Sequence, residues 1–174
     1  MISKRAHEIM IPIDRYPNIF HNFSLKQAVA ELEAAVIIFG GRKSLPRALL
    51  VIDENYNLLG VVRRRDILRG LEPKFMQKMP HHHQKELLEI EGDPDLVYLS
   101  SGKVIKSMQA QAERPVKDVM QPVEDTIDYD EHIAKIIYKM VSKDLNLLPV
   151  MKDKKVVGVV RSVDVFHEVA NLIL

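Results

Sequence analysis

One run of residues occurs twice, and it limits the folds open to this chain more than any other feature. Glu8-Ile9-Met10-Ile11-Pro12-Ile13-Asp14 answers to Asp118-Val119-Met120-Gln121-Pro122-Val123-Glu124: acid, apolar, Met, any residue, Pro, apolar, acid. Leu49-Leu50-Val51-Ile52 answers to Leu147-Leu148-Pro149-Val150, and Leu58-Leu59-Gly60-Val61-Val62-Arg63 to Val156-Val157-Gly158-Val159-Val160-Arg161. Both copies close on an acid and an apolar pair, Asp66-Ile67-Leu68 and Asp164-Val165-Phe166. Four stations in the same order mean one supersecondary unit built twice.

Periodicity supplies the elements of each copy. Leu25, Ala28, Val29, Leu32, Ala35 and Val36 recur at helical spacing, which predicts an amphipathic helix with Ser24 as its N-cap. Ile133, Ile136, Ile137, Met140 and Val141 repeat the pattern, with Asp130 as the cap. Two β-rich runs around a polar turn follow: Ala48–Ile52 with Leu58–Val62, and Leu147–Met151 with Val156–Val160. Such pairs predict antiparallel hairpins. A further helix opens near Asp66 and near Asp164, so each unit is of βαββα type.

The copies differ in length. The first has extra residues between helix and hairpin, including Phe39-Gly40-Gly41-Arg42-Lys43-Ser44. Two glycines beside two cations predict a mobile loop, or a helix C-cap followed by one. The organisation is a first unit at 1–71, a connector at 72–114 and a second unit at 115–174. The connector holds Pro73, Pro80, Pro94 and His81-His82-His83. It is too long for an ordinary loop, so it carries short helices, at Gln84–Ile90 and Val104–Gln111, or is partly disordered.

Composition enters by exclusion. With 25 basic and 24 acidic residues and a net charge of +1, the chain lacks the basic surplus of a nucleic-acid binder. It has no cysteine, so disulfides, thiolate metal sites and a cysteine nucleophile are excluded. No apolar h-region follows the first charged residues, and no apolar run approaches the roughly 18 residues of a membrane span. The expectation is a cytoplasmic protein that does not enter a membrane.

Taken together, the repeated stations resemble a tandem pair of CBS (cystathionine-β-synthase) domains, a Bateman module. The resemblance covers roughly residues 8–71 and 116–172 and leaves the connector aside. It implies an α+β fold in which two βαββα units pack with pseudo-twofold symmetry, and it implies a homodimer. The apolar end, Val169-Ala170-Asn171-Leu172-Ile173-Leu174, fits such a partner or packing within its own chain.

The resemblance also implies a ligand: AMP, ADP, ATP or S-adenosylmethionine in the cleft between the units, in an energy-sensing role. The family's site motif is Gly-apolar-apolar-Ser/Thr-x-x-Asp. It stands here as Gly60-Val61-Val62-Arg63-Arg64-Arg65-Asp66 and Gly158-Val159-Val160-Arg161-Ser162-Val163-Asp164. By this resemblance Asp66 and Asp164 accept bonds from a ribose diol, and a carboxylate has acceptors for both hydroxyls. Read locally, each acid is equally an N-cap or first-turn residue. The usual Ser/Thr is Arg63 in one copy and Arg161 in the other, a long cation that either reaches a phosphate or fills the cleft. Arg63, Arg65, Arg161 and Ser162 are the phosphate candidates, because cations at a helix N-terminus favour an anionic ligand. Ile19, Ile52, Ile127 and Val150 are the adenine-pocket candidates, and each is equally core. Arg42 and Lys43 either reach a phosphate from the loop or, the favoured reading, are solvated surface.

The expected function is therefore a non-catalytic regulatory module that signals nucleotide occupancy through dimer geometry or through a protein partner, contacted by the connector. The alternative is a ligand-free dimeric scaffold with arginine-plugged clefts. Catalytic residues are not expected: there is no Walker-type loop, nucleophile elbow or zinc-helix motif. Adjacent residues on a helix cannot readily share one metal, so His81-His82-His83 is not expected to be a metal site either. No cofactor is required.

Overall fold

A computed structural model describes residues 4–74 and 94–174. The first copy runs α1 (Ala6–Ile9), β1 (Ile11–Pro12), a 3-10 turn (Ile13–Arg15), β2 (Asn18–Phe20), α2 (Leu25–Ala34), β3 (Ile37–Phe39), β4 (Arg42–Ser44), β5 (Ala48–Ile52), β6 (Leu58–Arg63) and α3 (Arg64–Leu71). Helix α4 (Pro94–Gln111) leads into the second copy. That copy has a 3-10 turn (Val116–Asp118), β7 (Gln121–Pro122), β8 (Ile127–Asp128), α5 (Ile133–Ser142), β9 (Leu147–Lys152), β10 (Lys155–Arg161) and α6 (Ser162–Ile173). The architecture is α+β, two repeated units. The Val104–Gln111 expectation falls within the longer α4; Gln84–Ile90 and the three histidines lie outside the described residues.

The units trade their opening segments. One sheet has the order β2-β5-β6-β7 and the other β1-β10-β9-β8. Strand β7 of the second copy thus completes the first sheet, and β1 of the first copy completes the second. Backbone bonds repeat the trade at the helix N-termini. The Leu25 N–H donates to Arg114 O at 2.9 Å, and the Ile133 N–H donates to Lys4 O at 2.9 Å. These are first-turn donors with no partner inside their own helices. Val116 is fully buried in the first unit's core, and Ala6 and Ile9 are buried in the second's. Each large side chain so buried contributes about 1.5–3 kcal/mol.

The repeated glycine has its reason here. A Cβ at Gly60 would run into the Gln121 carbonyl, and one at Gly158 would meet Ile11 O at 2.6 Å. The borrowed strand lies against bare backbone in both sheets, paired as Gly60 with Pro122 and Gly158 with Pro12.

Helix α2 is capped by Ser24, which accepts from the Gln27 N–H at 3.2 Å while the Gln27 side chain accepts from the Ser24 N–H at 2.8 Å. Helix α5 corrects the sequence expectation. Its cap is His132, whose Nδ1 accepts from the Ala134 N–H at 3.2 Å, while the Asp130 carbonyl accepts from Arg5 Nη1. The loop around Gly40 and Gly41 is also corrected. It is an antiparallel hairpin, with Ile37 paired to Ser44 and Phe39 to Arg42. Both glycines carry positive φ, +57° and +72°, the left-handed backbone that tight hairpin turns demand. Ile37 is buried with Ile11, Tyr16, Leu50 and Val159 in a third core that joins the units, and Phe39 packs against it.

Candidate functional site

At each junction of a repeated strand and helix, an arginine turns back onto the aspartate three residues later. Arg63 is the N-cap of α3 and Asp66 its third residue. The Arg63 N–H donates to Asp66 Oδ2 at 3.0 Å, its Nε donates to the same oxygen at 2.8 Å, and its Nη2 donates to Oδ1 at 3.0 Å. Gln121 Nε2, from the borrowed strand, donates to Oδ1 at 3.3 Å, and Arg69 stands 3.7 Å away. Asp66 is fully buried, while the Arg63 side chain is 45% exposed.

The second clasp has the same geometry with different surroundings. Arg161 Nε donates to Asp164 Oδ2 at 2.6 Å and Nη2 to Oδ1 at 2.8 Å. The third guanidinium nitrogen, Nη1, donates to Ser44 Oγ at 2.8 Å, across from the β3–β4 hairpin. Arg42 of the same hairpin brings Nη2 to 3.7 Å from Asp164 Oδ1. Here the arginine side chain is only 9% exposed.

The electrostatics follow from these contacts. Burial alone would raise the Asp66 carboxyl, but bonds from the Arg63 side chain and backbone, with the charges of Arg63 and Arg69, outweigh it. The group is held below the ordinary carboxylate value. The same side-chain bond raises the Arg63 guanidinium. Tyr16 is buried where the units meet, and its hydroxyl donates to Ala48 O at 2.9 Å. Burial pushes that phenol up to about 12, against the lowering effect of Arg161.

The remaining sequence candidates scatter. Arg65 is exposed, and Arg64 Nη1 donates to Pro46 O at 2.6 Å. Ser162 donates its N–H to Asn146 O at 2.9 Å. Ile19, Ile52, Ile127 and Val150 are all buried, with Ile19 in the first core and Ile127 and Val150 in the second. Beside the Asp66 clasp lies a recess of about 390 Å³, whose lining includes Arg69, Arg114, Met120 and Gln121.

Sequence reasoning missed Tyr16, Ser44, Arg69 and Gln121 as neighbours of these acids. Arg42 is a correction: it turns toward Asp164 rather than standing as solvated surface. Only Arg69 carried a signal, its spacing of three from Asp66 on one helix face. Among the described residues no cluster of three or more His, Asp or Glu side chains could hold a metal, and no helix is long and apolar enough to cross a membrane.

The family model of the CBS domain matches residues 6–73 and 116–171. A search of curated proteins found no match. Among solved structures, the chain is similar to the CBS domain of a CBS domain-containing membrane protein from Sphaerobacter thermophilus, with TM-score 0.65 and 18% identity over 95% of this chain and 88% of that one. It is similar to the CBS-pair protein CBSX2 from Arabidopsis thaliana, with TM-score 0.63 and 16% identity over 98% and 96%. It is also similar to CBSX2 in complex with AMP, with TM-score 0.59 and 17% identity over 97% of each chain. At these identities the likeness is one of fold.

Proposed function

The chain belongs to the CBS domain family, and from that premise we propose that it is a non-catalytic regulatory module binding an adenosine nucleotide between its two units. One observation carries the reading. A buried carboxylate and a half-exposed guanidinium sit face to face at the start of α3, on Asp66 and Arg63. A nucleotide needs both groups, a carboxylate for its ribose diol and a cation for its phosphate. In the clasp each group satisfies the other, so binding exchanges one internal pair for two pairs with the ligand. Arg63 can turn outward with little desolvation cost because nearly half of it already meets solvent. Arg65 and Arg69 stand close in sequence on the same helix, and the AMP complex of CBSX2 supports the ligand class.

The module acts in the cytoplasm as a homodimer. Supporting the dimer is an apolar face on α5 and α6 of Tyr138, Val141, Phe166 and Ile173, each at least 70% exposed. Occupancy reaches a protein partner through the geometry of that dimer. One specific observation favours the second reading, a ligand-free dimeric scaffold: the Arg161–Asp164 clasp is sealed rather than open.

Thermal melting against AMP, ADP, ATP, S-adenosylmethionine and adenosine tests the choice. A nucleotide at about 100 times its dissociation constant adds about 2.7 kcal/mol. For a chain of this size that raises Tm by about 5–10 °C. Asp66→Asn abolishes the shift, since an amide offers a diol one acceptor oxygen in place of two. No movement with any compound overturns nucleotide binding and leaves the scaffold.

A further inference from the structure

The first copy carries a hairpin that the second lacks, and the hairpin does not lie on its own unit's acid. Between α2 and β5, residues 35–47 build β3 and β4. The matching connection in the second copy, 143–146, is a short turn with Asp144 at φ +52°. Through Ser44 and Arg42 the hairpin reaches across to the other unit's clasp. Ser44 Oγ takes the Arg161 nitrogen that the carboxylate leaves over, and Arg42 adds a second guanidinium beside Asp164.

We infer that the β3–β4 hairpin is a built-in stopper on the second unit's acid, so that each chain takes one nucleotide, at Asp66, and not two. This rests on the nucleotide reading and adds its stoichiometry.

Three features make the stopper fixed rather than a passing contact. Ile37 anchors it in the core between the units, with Phe39 packed alongside, so moving it uncovers apolar surface. The Gly40–Gly41 turn holds its two strands in register. All three outer nitrogens of Arg161 are used, Nε and Nη2 on Asp164 and Nη1 on Ser44. A diol seeking Asp164 must therefore break a buried fork and leave a guanidinium without solvent. At Asp66 the displaced Arg63 goes to water, and no hairpin residue bonds to it among the described contacts.

AMP binding measured by calorimetry on the full chain tests the stopper. The wild type is expected to take one AMP per chain. Asp66→Asn loses it, and Asp164→Asn keeps it. Replacing Arg42 and Ser44 together by alanine opens a second, weaker site and moves the count toward two. Two AMP per wild-type chain, or loss of binding in Asp164→Asn with retention in Asp66→Asn, overturns the inference. If no form binds AMP, the nucleotide reading fails, and a ligand-free measurement decides whether the hairpin holds the clasp. Ser44→Ala is then expected to lower Tm in the wild type but not further in Arg161→Lys, whose ammonium cannot span both groups. Equal drops in the two backgrounds would show that the hairpin holds nothing.

Discussion

The two strand–helix junctions have the same local chemistry and differ in how far the arginine meets solvent. In both, an arginine at the end of the repeated strand makes a fork with the aspartate three residues on. Both aspartates are buried, but the Arg63 side chain is 45% exposed whereas that of Arg161 is 9% exposed, beneath Ser44 and Arg42. A guanidinium that already meets water loses little when its pair is broken. A buried pair is hard to break, because either partner left alone is an uncompensated charge. One motif occurring twice therefore gives one clasp whose arginine is open to solvent and one whose arginine is enclosed.

The largest effect separating the two comes from removing each carboxylate. Asp164→Ala strands the Arg161 guanidinium in the interior and costs about 3–5 kcal/mol. Asp66→Ala releases Arg63 to solvent and costs about 1–2 kcal/mol through the lost cap and hydrogen bonds. Urea denaturation of the two variants measures the gap, and equal losses would break the comparison.

A second pair of substitutions should erase the asymmetry. Gly60→Ala and Gly158→Ala both push a Cβ against the borrowed strand, on Gln121 and on Ile11. Each is expected to cost about 1–3 kcal/mol, the usual range for overpacking. Similar losses would show that the units differ at their clasps and not in their sheets.

The smallest effect sharpens the account of the buried side. Tyr16→Phe removes the bond to Ala48 O and costs about 1 kcal/mol. Burial has raised this phenol from 10.0 to about 12, so the fold favours its protonated form. Its contribution is whole below pH 10 and is lost as pH climbs from there toward 12. Melting curves across that window should fall more steeply for the wild type than for Tyr16→Phe. Parallel curves would mean that Tyr16 is wetter than its surroundings suggest.

Much of this was legible in the chain. The helix faces gave Leu25, Ala28 and Leu32, and Ile133, Ile136 and Met140, all buried as the spacing predicts. Val29 and Val141 share those patterns yet are exposed, while Ala35 and Val36, counted on the first helix face, lie beyond its end at Ala34. Periodicity marks an apolar stripe without saying how much of it a neighbour will cover. The β5–β6 and β9–β10 hairpins formed where alternation and turn residues put them. The β3–β4 hairpin was not foreseen, because two glycines beside two cations also describe a loop. The cap of α5 was misplaced from His132 to Asp130, since an imidazole accepts a backbone bond as well as a carboxylate can.

The sequence by itself determined the number of units and the order of their repeated elements, and it set each arginine three residues before an aspartate. All of these depend on residues close together in the chain, and an i,i+3 pair at a helix start meets wherever that helix forms. Only the tertiary structure decided that the opening segments are traded, and that one of two like clasps is sealed. Ser44 and Arg161 lie 117 positions apart. How far a charge is withdrawn from water depends on what covers it, and the cover here comes from the other unit.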